Sequence, residues 1–305
     1  MIYSLRMSKS ITVDAPAKIN LGLEVLPKRS DGYHGIKSIF TTIGLCDVVK
    51  VTLTQNKGEC LVKSKNMVLP KENTITKAYK AFCVLTGVNQ GVEVELTKNI
   101  PAGGGLGGGS SDASSFLQSM DTLFCTRLTR EDFYNLSSQI GSDVFFFTEA
   151  LISKKHGLCN TECFAAEVGG RGEVIHQIDA RTDLKLLLVF PGVSVSTKEA
   201  YSLVDAKKDW NSGKFKSAMK QNACSSLEMI YRKPVHEWFF QNDFTSPVVE
   251  VHREIGFALN CIKECNADFA DMSGSGSTVY GVFEDAEYAE KAFSAALERW
   301  NAVLV

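Results

Sequence analysis

Between positions 17 and 25 apolar and polar residues alternate strictly, with Ala17, Ile19, Leu21, Leu23 and Val25 on one side and Lys18, Asn20, Gly22 and Glu24 on the other. A period of two predicts a half-buried strand, its polar face turned away from the core. On that face Lys18 and Asn20 stand roughly 7 Å apart by strand rise. Pro27 to Gly32 reads as a turn, and 36–43 and 47–54 read as further strands. Asn73 and Thr74 mark the start of a helix over 75–85, and 92–96 is another short alternating strand closed by Pro101.

Further along, Phe116, Leu117, Met120, Leu123 and Phe124 recur at the spacing of one helical face. A helix over 130–140 follows, with Thr129 as N-cap, Glu131 and Asp132 in its first turn and Gly141 just past its end. Residues 154–173 are Gly-rich and polar and read as a looser stretch holding a domain boundary, so the chain divides into 1–160 and 161–305. Beyond it, 184–190 is a continuous apolar run suited to a central strand, and helices are predicted at 198–204, 214–231 and 251–265. The tail reads strand (268–272), tight Ser/Gly turn (273–277), strand (278–283), helix (286–300), strand (302–305). That alternation predicts a split βαβ arrangement and an α+β layer architecture.

Composition narrows the function classes. The 305 residues are 44% hydrophobic and carry a formal net charge of −2, which gives enough apolar mass for one large or two medium cores and no basic excess for gripping nucleic acid. No run approaches the length that spans a bilayer, and the first residues are too polar for a signal peptide. The nine cysteines include no Cys-x-x-Cys pair and no His at zinc-ligand spacing, so no metal site is expected and a reducing cytoplasm is the default.

The sharpest local signal is Pro101-Ala102-Gly103-Gly104-Gly105-Leu106-Gly107-Gly108-Gly109-Ser110-Ser111-Asp112, running straight into the amphipathic helix. Missing Cβ atoms let backbone bend through positive φ and approach another group, while the helix start offers unpaired N–H groups and a positive dipole end. That combination suits a phosphate. Ser110 and Ser111 can cap the helix or offer hydroxyls to a phosphate oxygen or a metal ion. Gly103, Gly105 and Gly108 also satisfy the loose G-x-G-x-x-G pattern of dinucleotide sites, which keeps a nicotinamide-dependent oxidoreductase in view. Pro101 interrupts the junction that pattern needs, and Asp121 falls mid-helix instead of at a strand end. A Walker loop is excluded, because no Gly-Lys-Ser/Thr is present.

Three separated blocks resemble the GHMP kinase superfamily: Pro16-Ala-Lys-Ile-Asn-Leu-Gly-Leu23, the glycine loop with Ala113, and Met272-Ser-Gly-Ser-Gly-Ser277. Within it, Ser30-Asp-Gly-Tyr-His34 and Gly141-Ser-Asp-Val-Phe-Phe-Phe147 resemble the family of 4-diphosphocytidyl-2-C-methyl-D-erythritol kinases. The resemblance spans 15–282. It implies a two-domain fold, with an N-terminal nucleotide-binding α/β domain, a C-terminal split βαβ (ferredoxin-like) domain and a deep cleft between them. It also implies transfer of the γ-phosphoryl group of ATP, with Mg²⁺ carried on the nucleotide, to the 2-hydroxyl of a cytidine diphosphate substrate in the non-mevalonate route to isoprenoids. The expected partners are these small molecules, with neither nucleic acid nor membrane, in a monomer or weak dimer.

Carried over residue by residue, the resemblance makes Lys18 and Asp143 the catalytic pair and Pro101 to Asp112 the ATP loop. Asn20, Tyr33 and His34 hold the substrate, with the Tyr33 ring stacking on cytosine and His34 the candidate for its polar edge. Residues 191–197 resemble a substrate-lining segment that includes Thr197, and Tyr201 supplies a second aromatic face. By position in the family, Lys98 and Asn73 are candidate neighbours of the adenine. Two departures stand out: Ser142 replaces the usual alanine, and 159–171 is longer and less regular than the corresponding loop, so no residue is carried from it. Each assignment has a plainer rival. Asp143 could be a turn former after Gly141, Lys18 a solvated strand residue, Tyr33 and His34 a surface turn, and Asn20 a partner of neighbouring backbone. Other functions also stay open, namely a homoserine- or mevalonate-type kinase of the same superfamily, or a nucleotide-binding module without catalysis.

Overall fold

The computed structural model describes residues 9–155, 157, 163–208, 210 and 226–305. They form two compact units. The first takes the described residues of Met1–Ala17, Leu45–Ile100 and Gly107–Asn160; the second takes those of Lys18–Gly44, Pro101–Leu106 and Thr161–Val305. Segments from early in the chain therefore group with the residues after 160. Two long strands, β1 (Ser10–Lys28) and β2 (His34–Lys57), each contribute to both units.

The first unit adds β3 (Cys60–Ser64), α1 (Thr74–Thr86), β4 (Gln90–Thr97), α2 (Gly108–Phe124), α3 (Arg130–Ile140) and α4 (Ser142–Lys155). Strand β4 pairs antiparallel with β2, Val51 opposite Val94, and parallel with β3, Val62 opposite Val94. One face of this sheet, with Val49, Val51, Val92 and Val94, packs on Ile75, Ala78 and Phe82 of α1 and on Ala113, Phe116, Leu117 and Met120 of α2. The apolar α2 residues recur at i, i+3, i+4 and i+7, and the helix is buried on its other sides too, where Ser111, Ser114, Ser115, Ser119 and Asp121 are covered. Both α1 and α3 open with capping boxes, Asn73 with Thr76 and Thr129 with Asp132.

The second unit holds β5 (Ala165–Gly169), β6 (Val174–Ile178), β7 (Lys185–Phe190), α5 (Thr197–Lys207), α6 (Leu227–Tyr231), α7 (Thr245–Val251), α8 (Arg253–Glu264), β8 (Phe269–Met272), β9 (Val279–Phe283), α9 (Ala286–Leu297) and β10 (Asn301–Leu304). Strand β5 pairs with the start of β2 and with β6. The other four strands form an antiparallel sheet in the order β10-β7-β9-β8, against which α8 and α9 pack. This is the split βαβ arrangement predicted from the tail.

The structure differs from the sequence-based expectation in four places. The polar face of β1 is not turned to solvent: Lys18, Asn20 and Glu24 are as buried as the apolar face. Gly22 explains part of this, since a Cβ there would lie 3.0 Å from the Phe240 ring, so the bare backbone admits an aromatic cover. The strands predicted at 36–43 and 47–54 are one continuous β2. The stretch 154–173, read as loose, contains β5, whose Ala165, Ala166 and Val168 are buried. The helix predicted at 251–265 is broken at His252 into α7 and α8. Of the helix predicted at 214–231, residues 214–225 lie outside the described residues and Leu227–Tyr231 is helical.

Candidate active site

In the second unit three sequence-distant segments meet around Lys18. Its ammonium donates to Asn20 Oδ1 at 2.5 Å and to the carbonyl of Gly105 at 2.8 Å, and it lies 5.0 Å from the Phe40 ring centroid. Its backbone N–H donates to Leu106 O at 3.0 Å, tying β1 to the first half of the glycine loop. The Ser273 hydroxyl donates to the same Gly105 carbonyl at 3.0 Å. A Cβ on Gly105, whose φ is +74°, would sit 2.0 Å from Ser273 O, so only glycine lets the two segments pass. A cation this deeply buried is tolerated only where oxygens replace its water, and here Asn20 and a carbonyl do so. A solvated role for Lys18 is thereby excluded.

Asn20 is held in turn. Its Nδ2 donates to Ser38 Oγ at 3.4 Å and its carbonyl accepts from Tyr280 OH at 2.8 Å. The Ser/Gly turn is anchored by Asn242, whose Nδ2 donates to Met272 O and to Gly274 O, each at 2.7 Å. Asp271 accepts the Asn242 N–H and the Thr245 hydroxyl; burial pushes its carboxyl up to about 6 against these bonds. On the same turn Ser275 Oγ lies 3.3 Å from Thr197 Oγ1 at the start of α5.

A second cluster in this unit surrounds His34. The imidazole is buried, stacks on Tyr201 with centroids 5.2 Å apart and 15° between planes, and meets Trp210 at 5.2 Å. Its Nδ1 is 2.7 Å from Leu26 O and its Nε2 3.1 Å from Asp205 Oδ1. Nδ1 is thus bonded to the backbone, whereas Nε2 lies near the Asp205 carboxylate without a hydrogen bond among the described residues. Asp205 also receives Lys28 at 2.8 Å and the Trp210 indole N–H at 3.0 Å. Burial raises its carboxyl, but Lys28, His34 and Trp210 together hold it below the ordinary range. Tyr33, next door in sequence, is 60% exposed.

In the first unit the rest of the glycine loop enters α2. Gly107 is left-handed at φ +72° with no side-chain cap, and the N–H groups of Ser110 and Ser111 return to its carbonyl at 3.0 and 2.9 Å. Ser111 is wholly buried and its hydroxyl has no hydrogen-bond partner among the described residues. Asp112 points into the unit, where Lys98 bridges it at 2.8 Å and also binds Asp47. Asp47 further accepts the Asn99 and Ile100 N–H groups at 2.6 and 2.8 Å. Burial first, then the nearby Asp47, pushes the Asp112 carboxyl up to about 7 against the pull of Lys98. Lys98 thus serves an internal triad, and Asn73 caps α1.

Asp143 lies half-buried in the first turn of α4, where the helix dipole favours a carboxylate. Its turn abuts that of α2: a Cβ on Gly141 would be 4.0 Å from Ser110 Oγ.

The model of the GHMP kinases N terminal domain matches residues 73–150, and that of the GHMP kinases C terminal matches 213–302. A 4-diphosphocytidyl-2-C-methyl-D-erythritol kinase of Treponema pallidum (strain Nichols) is 36% identical over 295 residues, 96% of each chain. The enzyme of that name from Thermodesulfovibrio yellowstonii is 35% identical, covering 92% of this chain and 93% of its own. This chain belongs to the 4-diphosphocytidyl-2-C-methyl-D-erythritol kinase family. A crystal structure of 4-(cytidine 5'-diphospho)-2C-methyl-D-erythritol kinase aligns with a TM-score of 0.75 at 26% identity, over 96% of this chain and 98% of that one. A homoserine kinase from Cytophaga hutchinsonii shares the fold, with a TM-score of 0.65 at 18% identity over 100% of this chain and 96% of its own.

Within this family fold, the second unit gathers Lys18, Asn20, Gly103 to Leu106, Thr197 and the Ser/Gly turn, and separately His34 with Tyr201. The first gathers Gly107 to Asp112 with the turn of Asp143. Asn242, Asp271, Asp205 and Trp210 escaped the sequence reading. Each is a single polar or aromatic residue in an unremarked stretch, and only its partners make it significant.

Proposed function

We propose that this protein transfers the γ-phosphoryl group of ATP to the 2-hydroxyl of 4-diphosphocytidyl-2-C-methyl-D-erythritol, in the cytoplasm and within the non-mevalonate route to isoprenoid precursors. The observation that carries this reading is the buried Lys18 ammonium, held by Asn20 and the Gly105 carbonyl inside the glycine loop, in a chain 36% identical to a kinase of that name. Phosphoryl transfer asks mainly for positioning and neutralised charge. In this reading the residues from Pro101 to Asp112 cradle the triphosphate through backbone N–H groups, with Asp112 anchoring the start of α2 from inside. Asp143 accepts the proton of the attacking hydroxyl, and Lys18 stabilises the oxyanion that develops as that proton leaves.

The nucleotide would bring Mg²⁺ with it, and the ion would supply neutralisation of charge on the phosphate oxygens. The Ser111 hydroxyl, buried at the helix entrance without a partner among the described residues, fits an oxygen donor for that ion or for a phosphate. Asn20 and Thr197 orient the sugar-alcohol portion of the substrate, and Tyr33 and Tyr201 stack on its cytosine. His34, bonded through Nδ1 to Leu26 O and stacked on Tyr201, offers Nε2 to the polar edge of the cytosine and sets the plane of the Tyr201 ring. The protein works as a monomer or weak dimer, without nucleic acid or membrane.

The test is a coupled ADP-release assay offering the cytidine diphosphate methylerythritol substrate beside homoserine and mevalonate. Turnover confined to the cytidine compound is the expected result. Preference for either of the others would replace this reading with the corresponding kinase.

A further inference from the structure

The stretch of sequence from which no site residue was carried ends in a turn that reaches Tyr33. Between β5 and β6 the chain reverses through Gly170 at φ +67° and Gly172, whose N–H returns to Gly169 O at 3.0 Å. This turn is docked on the start of β2, where the Ile36 N–H donates to Gly170 O at 2.7 Å. Its Glu173 carboxylate accepts the Arg171 backbone N–H at 2.5 Å and pairs with Arg29 at 3.1 Å. Arg29 in turn closes the turn before β2: its N–H donates to Tyr33 O at 2.8 Å and its side chain approaches Asp31 at 3.4 Å. Asp31 Oδ1 accepts the Tyr33 N–H at 3.1 Å. Two hairpin turns are thus knitted together, and across the join the Arg171 guanidinium lies 4.8 Å from the centroid of the Tyr33 ring.

We propose that Arg171 is a positioning residue for substrate binding, bracing one face of the Tyr33 ring so that the exposed remainder meets the substrate's pyrimidine already oriented. The proposal rests on the assignment of Tyr33 to the cytosine made above. An aromatic side chain left largely in water loses rotamer freedom when a base stacks on it, and a planar cation fixed beneath the ring removes part of that cost beforehand. A guanidinium suits the task because its flat, weakly hydrated face stacks on an aromatic ring, which an ammonium does not reproduce. The backbone bonds of both turns do not depend on the Arg171 side chain, so truncating it leaves the turn in place.

The experiment compares Arg171→Ala, Tyr33→Ala and the double variant in steady-state kinetics with ATP and the cytidine diphosphate substrate. Arg171→Ala is expected to raise KM for the cytidine substrate about two- to five-fold, the scale of an exposed cation–π contact. The KM for ATP and kcat are expected to stay within about 1.5-fold, a split that a merely structural role would not produce. In the Tyr33→Ala background the same truncation is expected to add nothing. An unchanged KM for Arg171→Ala, or an equal rise with and without the Tyr33 ring, overturns the proposal. If Tyr33→Ala itself leaves the substrate's KM unchanged, the stacking assignment of Tyr33 fails instead, and the proposal with it. Should Arg171→Ala prove unstable, Arg171→Met keeps the aliphatic stem and must show the same selective rise.

Discussion

Gly105 shows how one missing methyl group holds a site together. Its left-handed φ and the 2.0 Å between a would-be Cβ and Ser273 O leave no room for a side chain, so Gly105→Ala must separate the loop from the Ser/Gly turn. We expect a loss of at least about 2 kcal/mol in denaturant unfolding together with loss of turnover, because the Lys18 ammonium then loses a carbonyl partner. Asp143 stands at the other extreme, half-buried at a helix start where its exchange for an amide disturbs little packing. Asp143→Asn should lower kcat by at least about a hundredfold while ATP affinity, read by equilibrium titration, stays nearly intact. Undiminished turnover would remove Asp143 from the chemistry. Sequence alone assigned both residue types to their motifs. It could not show that the neighbours of Lys18 are oxygens, which depends on chain segments more than eighty residues apart.

At the scale of elements, the start of α2 is set from behind as well as from the front. Lys98 bridges Asp47 and Asp112 in the interior, so two carboxylates share one cation, and burial makes the second charge costly. The Asp112 carboxyl is pushed up to about 7 in the folded chain, above its value when unfolded, so the folded state holds the extra proton over that interval. Its contribution to stability is complete below the ordinary carboxylate range and is lost as pH rises through about 7. Asp112→Asn keeps an oxygen for Lys98 but cannot ionise. Relative to the parent, its urea midpoint should therefore improve between about pH 5.5 and about pH 8, and a difference that does not change with pH would contradict the sharing of one cation. The helix itself was legible: Phe116, Leu117 and Met120 announced its apolar stripe, though not the burial of Ser114, Ser115 and Ser119 beside it. The α4 helix was not, since three consecutive phenylalanines carry no amphipathic period and are buried all round.

For the molecule as a whole, binding of a ligand to the folded state alone must appear as stability. ATP at about a hundredfold excess over its Kd should raise the unfolding free energy by about 2.7 kcal/mol, seen as an upward shift in melting temperature, whereas NADH should produce none. A shift with NADH and not with ATP would restore the dinucleotide reading of Gly103, Gly105 and Gly108. No helix among the described residues is long and apolar enough to cross a membrane. The four-stranded sheet has the split βαβ arrangement predicted from the tail, and its strand order β10-β7-β9-β8 came from the tertiary structure.

What the sequence determined by itself was whatever depends on neighbours along the chain: the period-two and period-3.6 patterns, the caps at Asn73 and Thr129, the glycine loop and the motif resemblance. Tertiary structure decided whatever depends on approach in space. It buried the face of β1 that alternation assigned to water, turned His34 inward against Asp205 and Tyr201, and gave Asp112 to Lys98. It also brought Arg171, from a stretch without a recognisable motif, onto Tyr33. Local patterning sets which side of an element is apolar, but the free energy of a buried polar group depends on the partner it finds, and that partner is supplied by folding.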